Sequence, residues 1–213
     1  MNLFDDKNWE EKLYPIIEKY KRRKHPLDYQ NYYQLIIMVI LSARDSDANI
    51  NKLAKVFFKR YPSFKSISKS TLEELTSHLN KVTNYNSKSN WIHQIAKDLN
   101  EDNLPKKLDQ FTKLKGIGRK SGNVILREMN LPTEGIICDL HVIRVAPRLG
   151  LTSETKDGNK LEKQLMENLP KNIWGDIGMA LSFLGRETCR PKPNCHDCIL
   201  KNVCHYYSTI KHH

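Results

Sequence analysis

One segment of this chain carries most of its structural information: Leu114-Lys115-Gly116-Ile117-Gly118-Arg119-Lys120-Ser121-Gly122-Asn123-Val124-Ile125-Leu126. It joins a glycine turn, a basic pair and the apolar start of a helix. Gly116 and Gly118 can adopt the positive φ angles that a tight turn between two helices needs, and backbone N–H groups would then point outward at the start of the second helix. The segment therefore predicts two helices joined by a tight turn that can hold a phosphate.

A second segment follows downstream: Ile137-Cys138-Asp139-Leu140-His141-Val142-Ile143-Arg144-Val145. Apolar residues recur at helical spacing as far as Leu149, and Gly150 follows them, which predicts a helix with Asp139 as its N-cap. A carboxylate held by a helix start is rigid and stays ionised, as a catalytic base requires. Asp139 is therefore a structural cap, a catalytic carboxylate or both.

The cysteines are concentrated near the end of the chain. Four of the five fall at Cys189, Cys195, Cys198 and Cys204. The chain opens with acidic and polar residues rather than with a signal peptide, so we expect a reducing cytosol, on the nucleoid if the source is bacterial or archaeal, in which clustered cysteines bind metal. Their spacing fits structural zinc and an iron–sulfur cluster equally well. The fifth, Cys138, is predicted to be a small buried apolar residue.

These motifs, in this order, resemble the endonuclease III family of helix-hairpin-helix DNA glycosylases. That family has a reactive lysine at the position of Lys120, an aspartate at the position of Asp139 and a terminal four-cysteine loop that holds a [4Fe-4S] cluster. The lead-in Gly185-Arg186-Glu187-Thr188-Cys189 is also similar. Five residues separate Cys189 from Cys195 where the family usually has six. The resemblance thus implies the same ligand set, the four clustered cysteines, on a slightly different loop path.

Two upstream segments, Leu41–Asp47 and Tyr85–Lys88, resemble family segments that face DNA, so the resemblance runs from about Tyr29 to Cys204. The family commonly has glutamine where Arg44 stands and a leucine wedge where Asn84 stands, and both groups touch the base opposite the lesion. Arg44 can donate a bidentate pair of hydrogen bonds to guanine, and Asn84 can both donate and accept. Equally open are a simple phosphate contact for Arg44 and a helix cap for Asn84.

Composition supports a nucleic-acid partner. The 213 residues include 35 Lys and Arg against 24 Asp and Glu, a net charge of +11. Such an excess favours polyanions. We expect a monomer that binds damaged or abasic double-stranded DNA, and no membrane, because the longest apolar run, Leu35 to Leu41, is far shorter than the roughly twenty residues of a span. The residues expected to contact DNA are Arg44, Asn84, Lys115, Gly116, Ile117, Gly118, Arg119, Arg190 and Lys192.

The periodicity of the chain predicts an all-α fold. Apolar residues recur at helical spacing in several segments, including Leu53, Val56 and Phe57, and Ser70-Thr71-Leu72-Glu73 is typical of a capping box. No segment alternates as a strand would. The resemblance further implies two helical lobes with a DNA-binding cleft between them. Residues 29–132 would form a barrel carrying the hairpin, and residues 1–28 with 133–213 would form the cluster lobe.

The resemblance implies a bifunctional DNA glycosylase and AP lyase of base excision repair that acts on oxidised pyrimidines. The neutral amine of Lys120 would attack the sugar C1′, and the resulting Schiff base would allow β-elimination. Burial, the neighbouring Arg119 and the positive end of the helix would favour that neutral amine. Asp139 would accept a proton or stabilise the positive sugar.

Two other functions remain open on the sequence. One is a monofunctional glycosylase for mismatched or otherwise damaged bases, in which Lys120 only contacts DNA. The other is a non-catalytic DNA-binding module. Related adenine glycosylases lack a lysine at this position, so Lys120 favours the bifunctional class, and a docking module would need neither Lys120 nor Asp139.

Overall fold

The computed structural model describes residues 8–210, and within that range the chain is helical with no β-strand. The α-helices are α1 (Trp9–Tyr20), α2 (Tyr32–Leu41), α3 (Asp47–Arg60), α4 (Phe64–Ser68), α5 (Leu72–Leu79), α6 (Tyr85–Asp98), α7 (Leu108–Thr112), α8 (Arg119–Glu128), α9 (Leu140–Leu149), α10 (Gly158–Asn168), α11 (Trp174–Glu187) and α12 (His205–Ile210). Short 3-10 turns cover Lys171–Ile173 and Lys201–Val203. The predicted all-α class is confirmed. The closing Lys211-His212-His213, which the sequence alone cannot assign as native or engineered, lies outside the described residues.

The helices divide into two compact units. One is continuous in sequence, Lys24–Leu131, and the other combines the described residues of Met1–Arg23 with those of Pro132–His213. The discontinuous unit is joined by α1, which packs against α11. The functional lobes inferred from the family resemblance, with a boundary near residues 29 and 132, stay a prediction.

In the continuous unit α2 is the central helix. Every residue from Leu35 to Leu41 is buried, and α2 contacts α3, α6 and α8. A helix that is apolar on all sides belongs in a protein core, which accounts for the longest apolar run of the sequence. No helix between residues 8 and 210 has the length and apolar character needed to cross a membrane.

Two local predictions in this unit were wrong. Val56 is 68% exposed, because the buried face of α3 follows Ile50, Ala54 and Phe57, which are spaced i, i+4 and i+7. The capping box begins one residue later than predicted. The Thr71 hydroxyl accepts from the Glu74 N–H at 3.1 Å, and the Glu74 carboxylate accepts from the Thr71 N–H at 3.0 Å.

In the discontinuous unit α11 lies unusually close to its neighbours. A Cβ added to Gly178 would lie 2.6 Å from the carbonyl oxygen of Ile137, and one added to Gly185 would lie 2.8 Å from Cβ of His141. Only residues without side chains permit such an approach. The segment that leads into α9, including Asp139, is therefore packed directly against α11.

Candidate active site

The glycine turn between α7 and α8 is built as a tight hairpin. Gly116 has φ +90°, and an added Cβ would meet the Trp91 ring at 2.6 Å, so only glycine fits. Gly118 has φ −90° and extended backbone, so the positive φ predicted for it is wrong. Nothing lies within 4 Å of an added Cβ at Gly118. Its missing side chain therefore leaves open space in which a ligand can approach the backbone.

The predicted contact residues of the hairpin differ in exposure. Lys115, Gly118, Arg119 and Lys120 are exposed, whereas Ile117 is only 4% exposed and anchors the turn. Lys120 is the second residue of α8, and its amine makes no hydrogen bond or ion pair within residues 8–210. The burial that we expected around Lys120 is thus not provided by the protein alone. The amine is therefore accessible to a ligand, and it lies at the positive, N-terminal end of α8.

His25 is a half-buried titratable group in the same unit as Lys120. Burial lowers the pKa of its imidazole to about 4, and the positive charges of Lys120 and Arg127 act in the same direction. Its Nδ1 accepts a hydrogen bond from the Leu27 N–H at 3.1 Å. A protonated ring could not accept there, so His25 is neutral at physiological pH.

Arg44 and Asn84 both have left-handed backbone conformations, with φ of 63° and 58°. Both side chains are exposed. Asn84 occupies the N-cap position of α6, but its side chain makes no capping hydrogen bond. A non-glycine residue in this conformation is uncommon and indicates a constraint from the surrounding structure.

A buried ion pair, Asp45 with Lys88, adjoins both residues. Lys88 Nζ lies 3.0 Å from Asp45 Oδ2 and also donates to the carbonyl oxygens of Leu41 (2.7 Å) and Ala43 (2.6 Å). The Asp45 carboxylate in turn accepts from the backbone N–H and the hydroxyl of Thr83. The pair thereby ties the residue after Arg44 to the residue before Asn84.

Asp139 is the N-cap of α9, as predicted. Its Oδ1 accepts from the backbone N–H groups of His141 (2.8 Å) and Val142 (2.9 Å). Its Oδ2 accepts from the Ser182 hydroxyl at 2.6 Å and lies 4.0 Å from the Arg186 guanidinium. The helix ends at Gly150, which has φ +87°. Both carboxylate oxygens are thus held by the protein.

The four clustered cysteines line one pocket, together with Arg148, Leu149 and Leu184. All four are free thiols. Within residues 8–210 no three His, Cys, Asp or Glu side chains are grouped so that they would hold a metal ion as they stand. Burial raises the pKa of the Cys195, Cys198 and Cys204 thiols. Binding of a cation would therefore release protons.

Two arginines of α9 organise this cysteine loop, and the sequence analysis did not identify them. Arg144 donates to the carbonyl oxygens of Cys189 (3.0 Å) and Gly185 (2.9 Å). Arg148 donates to the carbonyl oxygen of Arg190 at 2.7 Å, and its Nη1 lies 3.5 Å from Cys189 Sγ. Their i, i+4 spacing on the helix that follows Asp139 was the available signal.

The remaining predicted residues lie at the edges of this region. Arg190 and Lys192 are exposed, and the Arg190 side chain bonds back to the carbonyl oxygen of Arg186. Cys138 is buried, as predicted, and burial raises the pKa of its thiol to about 12. Cys138 is therefore a neutral packing residue beside Asp139.

Comparison with known proteins decides the family. Residues 37–171 match the model of the HhH-GPD superfamily of base excision DNA repair proteins. The chain belongs to this superfamily. It is 32% identical to endonuclease III of Bacillus subtilis over 182 aligned residues. The alignment covers 84% of this chain and 83% of that protein.

Solved structures agree with this assignment. A non-covalent endonuclease III–DNA complex has a TM-score of 0.81 and 29% identity, covering 96% of this chain and 97% of the other. A trapped endonuclease III–DNA covalent intermediate has the same score and identity, covering 95% and 96%. The chain is a base excision repair enzyme, a DNA glycosylase with AP lyase activity, as the sequence predicted.

Proposed function

We propose that Lys120 is the nucleophile of this DNA glycosylase and AP lyase and that Asp139 assists it. The observation that carries the proposal is the position of Lys120: exposed, in the first turn of the hairpin helix, two residues after the open backbone of Gly118, with no hydrogen bond or ion pair in residues 8–210. The solved covalent intermediate of a 29% identical relative supports covalent chemistry in this fold.

The reaction proceeds in two parts. The neutral amine of Lys120 donates its electron pair to C1′ of a flipped nucleotide while the N-glycosidic bond breaks and the base departs with that bond's electrons. Opening of the sugar ring, with a proton delivered to O4′, leaves a protonated Schiff base between Nζ and C1′. Loss of a C2′ proton and departure of the 3′ phosphate then cleave the strand by β-elimination.

Asp139 is suited to an electrostatic role in the first part. The transition state for breaking an N-glycosidic bond carries positive charge on the sugar, as in glycoside hydrolysis. A fixed, ionised carboxylate stabilises such charge without having to reorient. The hydrogen bonds to both oxygens of Asp139 hold the carboxylate in a fixed orientation.

The substrate is double-stranded DNA with a damaged base or an abasic site. The net charge of +11 favours DNA, including nucleoid DNA in a bacterial or archaeal cell. The exposed turn at Gly118 offers backbone N–H groups to a phosphate at the start of α8. Oxidised pyrimidines are the proposed lesions, on the strength of the likeness to endonuclease III.

The four clustered cysteines are the residues that would hold a [4Fe-4S] cluster. They line one pocket, and the cationic Arg148 beside Cys189 suits an anionic thiolate set. Bound there, the cluster would crosslink the terminal loop. Purified protein should contain about four iron atoms per chain and absorb broadly near 400 nm, roughly as thiolate-ligated clusters do. Cys198→Ser should lose the iron, and the matched Cys138→Ser should keep it.

Borohydride reduction in the presence of abasic DNA tests the role of Lys120. A Schiff base is reduced to a stable protein–DNA crosslink, and peptide mapping should place that crosslink on Lys120. A crosslink on another residue would contradict the assignment. Base release from a duplex that carries a damaged base, without a crosslink to abasic DNA, would favour a monofunctional glycosylase. Binding of both duplexes without base release or a crosslink would favour a docking module.

A further inference from the structure

Ser182 lies in the middle of α11, and its side chain is wholly buried. The neighbouring residues Leu181, Phe183 and Leu184 are apolar. A hydroxyl in such surroundings is costly unless it is hydrogen bonded. Its Oγ lies 2.6 Å from Oδ2 of Asp139, a short, charge-assisted contact.

The direction of this hydrogen bond follows from Arg186. The Arg186 Nε lies 3.5 Å from Ser182 Oγ, and a guanidinium group can only donate. Ser182 therefore accepts from Arg186 and gives its own proton to Asp139. The three side chains form a directed chain from the guanidinium through the hydroxyl to the carboxylate.

We infer that Ser182 is a positioning residue for the Asp139 carboxylate, an inference that rests on the proposed function. The start of α9 holds only Oδ1, so a cap alone would leave Oδ2 free to move. The Ser182 hydroxyl fixes that second oxygen. Gly178 and Gly185, at i−4 and i+3 from Ser182, allow α11 to come close enough for this contact.

Ser182→Ala tests the inference, because it removes one oxygen atom and leaves the small buried side chain otherwise unchanged. Single-turnover base excision should slow by roughly tenfold or more, the rate equivalent of losing one hydrogen bond to a charged group. DNA affinity should not change. The loss should therefore fall on the rate constant of excision alone, because the positioned carboxylate acts on the charge of the transition state and not in DNA binding.

Ser89→Ala is the matched control, since Ser89 is equally buried but its hydroxyl has no hydrogen-bond partner within residues 8–210. Ser89→Ala should leave both the excision rate and the DNA affinity unchanged. If Ser182→Ala has wild-type kinetics while Asp139→Asn is inactive, the inference is wrong and the proposed function stands. If Asp139→Asn is fully active, the proposed function itself fails.

The buried pair of Asp45 and Lys88 carries a second, independent inference about DNA. Both side chains are almost inaccessible to solvent, at 9% and 2% exposed. All three donors of the Lys88 ammonium are used, on Leu41, Ala43 and Asp45. The pair is flanked by two exposed residues, Arg44 and Asn84, with strained left-handed backbones.

We propose that the Asp45–Lys88 pair holds Arg44 and Asn84 in the conformation in which they probe the base opposite the lesion. This proposal also rests on the proposed function. Left-handed backbone at an arginine persists only where its surroundings enforce it. The enforced conformation gives an exposed, long side chain a fixed starting direction, which lowers the entropy cost of inserting it into a duplex.

Asp45→Asn tests this role, with Asp98→Asn as the matched control at an exposed carboxylate on α6. Two kinds of substrate are compared. The first is a duplex with an abasic site, prepared with each of the four bases opposite that site. The second is the same duplex with a one-nucleotide gap opposite the abasic site. We expect Asp45→Asn to lose about tenfold of its opposite-base preference, the worth of one bidentate contact, and Arg44→Ala to match it. Rates on the substrate without an opposite nucleotide should be those of the wild type.

Thermal melting establishes that each variant is folded at the assay temperature. If Asp45→Asn does not fold, Thr83→Val takes its place, because it removes only the 3.2 Å hydroxyl contact and should weaken the preference in the same direction. A folded variant that keeps the full preference overturns the proposal. So does an equal loss of rate on both substrates.

Discussion

Lys120 and Asp139, the two proposed functional side chains, have opposite surroundings. Lys120 is exposed and makes no hydrogen bond or ion pair within residues 8–210, whereas both oxygens of Asp139 are held by hydrogen bonds. Their neighbouring glycines differ in the same way. Gly118 faces open space, and Gly178 touches the backbone of Ile137. The hairpin is thus left for a ligand to complete, while the carboxylate is organised before any ligand arrives.

The largest expected effect is on catalysis, at the exposed Lys120. Lys120→Gln keeps the length and polarity of the side chain but removes the nucleophilic amine, so base release and strand cleavage should fall by roughly a thousandfold or more. DNA binding and the melting temperature should change little, because the amine has no partner in the described residues. Substantial strand cleavage by the variant would show that another group is the nucleophile.

A large effect on stability is expected at Gly178, which packs against the segment that leads to Asp139. Gly178→Ala places a methyl group 2.6 Å from the Ile137 carbonyl oxygen, and backbone cannot yield as a flexible side chain would. We expect a loss of about 3 kcal/mol in the free energy of unfolding, measured by denaturant titration. Excision should also slow, because the segment that carries Asp139 must shift. An unfolding free energy equal to that of the wild type would mean that the two elements are not rigidly packed.

His25 shows that the hairpin unit also contains an organised part. Its folded-state pKa of about 4 lies below the ordinary value of 6.5. Between these two pH values His25 is protonated in the unfolded chain but neutral in the folded protein. The contribution of His25 to stability should be complete above about pH 6.5 and should fall by about 3 kcal/mol as the pH approaches 4. His25→Asn, which retains an acceptor for the Leu27 N–H, should flatten this dependence in pH-dependent melting. An unchanged slope would assign the pH dependence to other groups.

The smallest effect on stability is expected at Gly118. Gly118→Ala adds a methyl group where nothing lies within 4 Å, at a backbone angle that alanine accepts. The free energy of unfolding should stay within about 0.5 kcal/mol of the wild type, while DNA affinity falls because the methyl group stands where a phosphate would approach. Gly116→Ala, at φ +90°, is the contrasting control and should destabilise the fold. Unchanged affinity in Gly118→Ala would remove the turn from the DNA-binding surface.

Local signals predicted much of this molecule. The cap at Asp139, the helix stop at Gly150, the buried Cys138 and the all-α class each depend on residues close together in sequence, and the structure confirms them. Ser182 was missed because its partner lies 43 positions away, in a helix that otherwise looks purely apolar. The same reason applies to the Asp45–Lys88 pair, also 43 residues apart.

Other errors came from inferring environment from residue type. Burial of Lys120 was expected from chemistry, but exposure depends on which elements surround α8. A positive φ was assigned to both glycines of the turn, and only Gly116 requires it. Val56 was predicted to lie on the buried face of α3, but its neighbour Phe57 is the residue that packs into the core.

The discontinuous unit has a consequence for how the protein is made on the ribosome. Everything in Lys24–Leu131 is available as soon as Leu131 has emerged, so this unit can fold while synthesis continues. Helix α1 emerges before this unit and must wait for α11 before its buried residues Leu13, Ile16 and Tyr20 find the helix on which they pack. An early helix without its partner is a site for chaperone binding. Moving α1 to follow α12 by circular permutation would remove that delay.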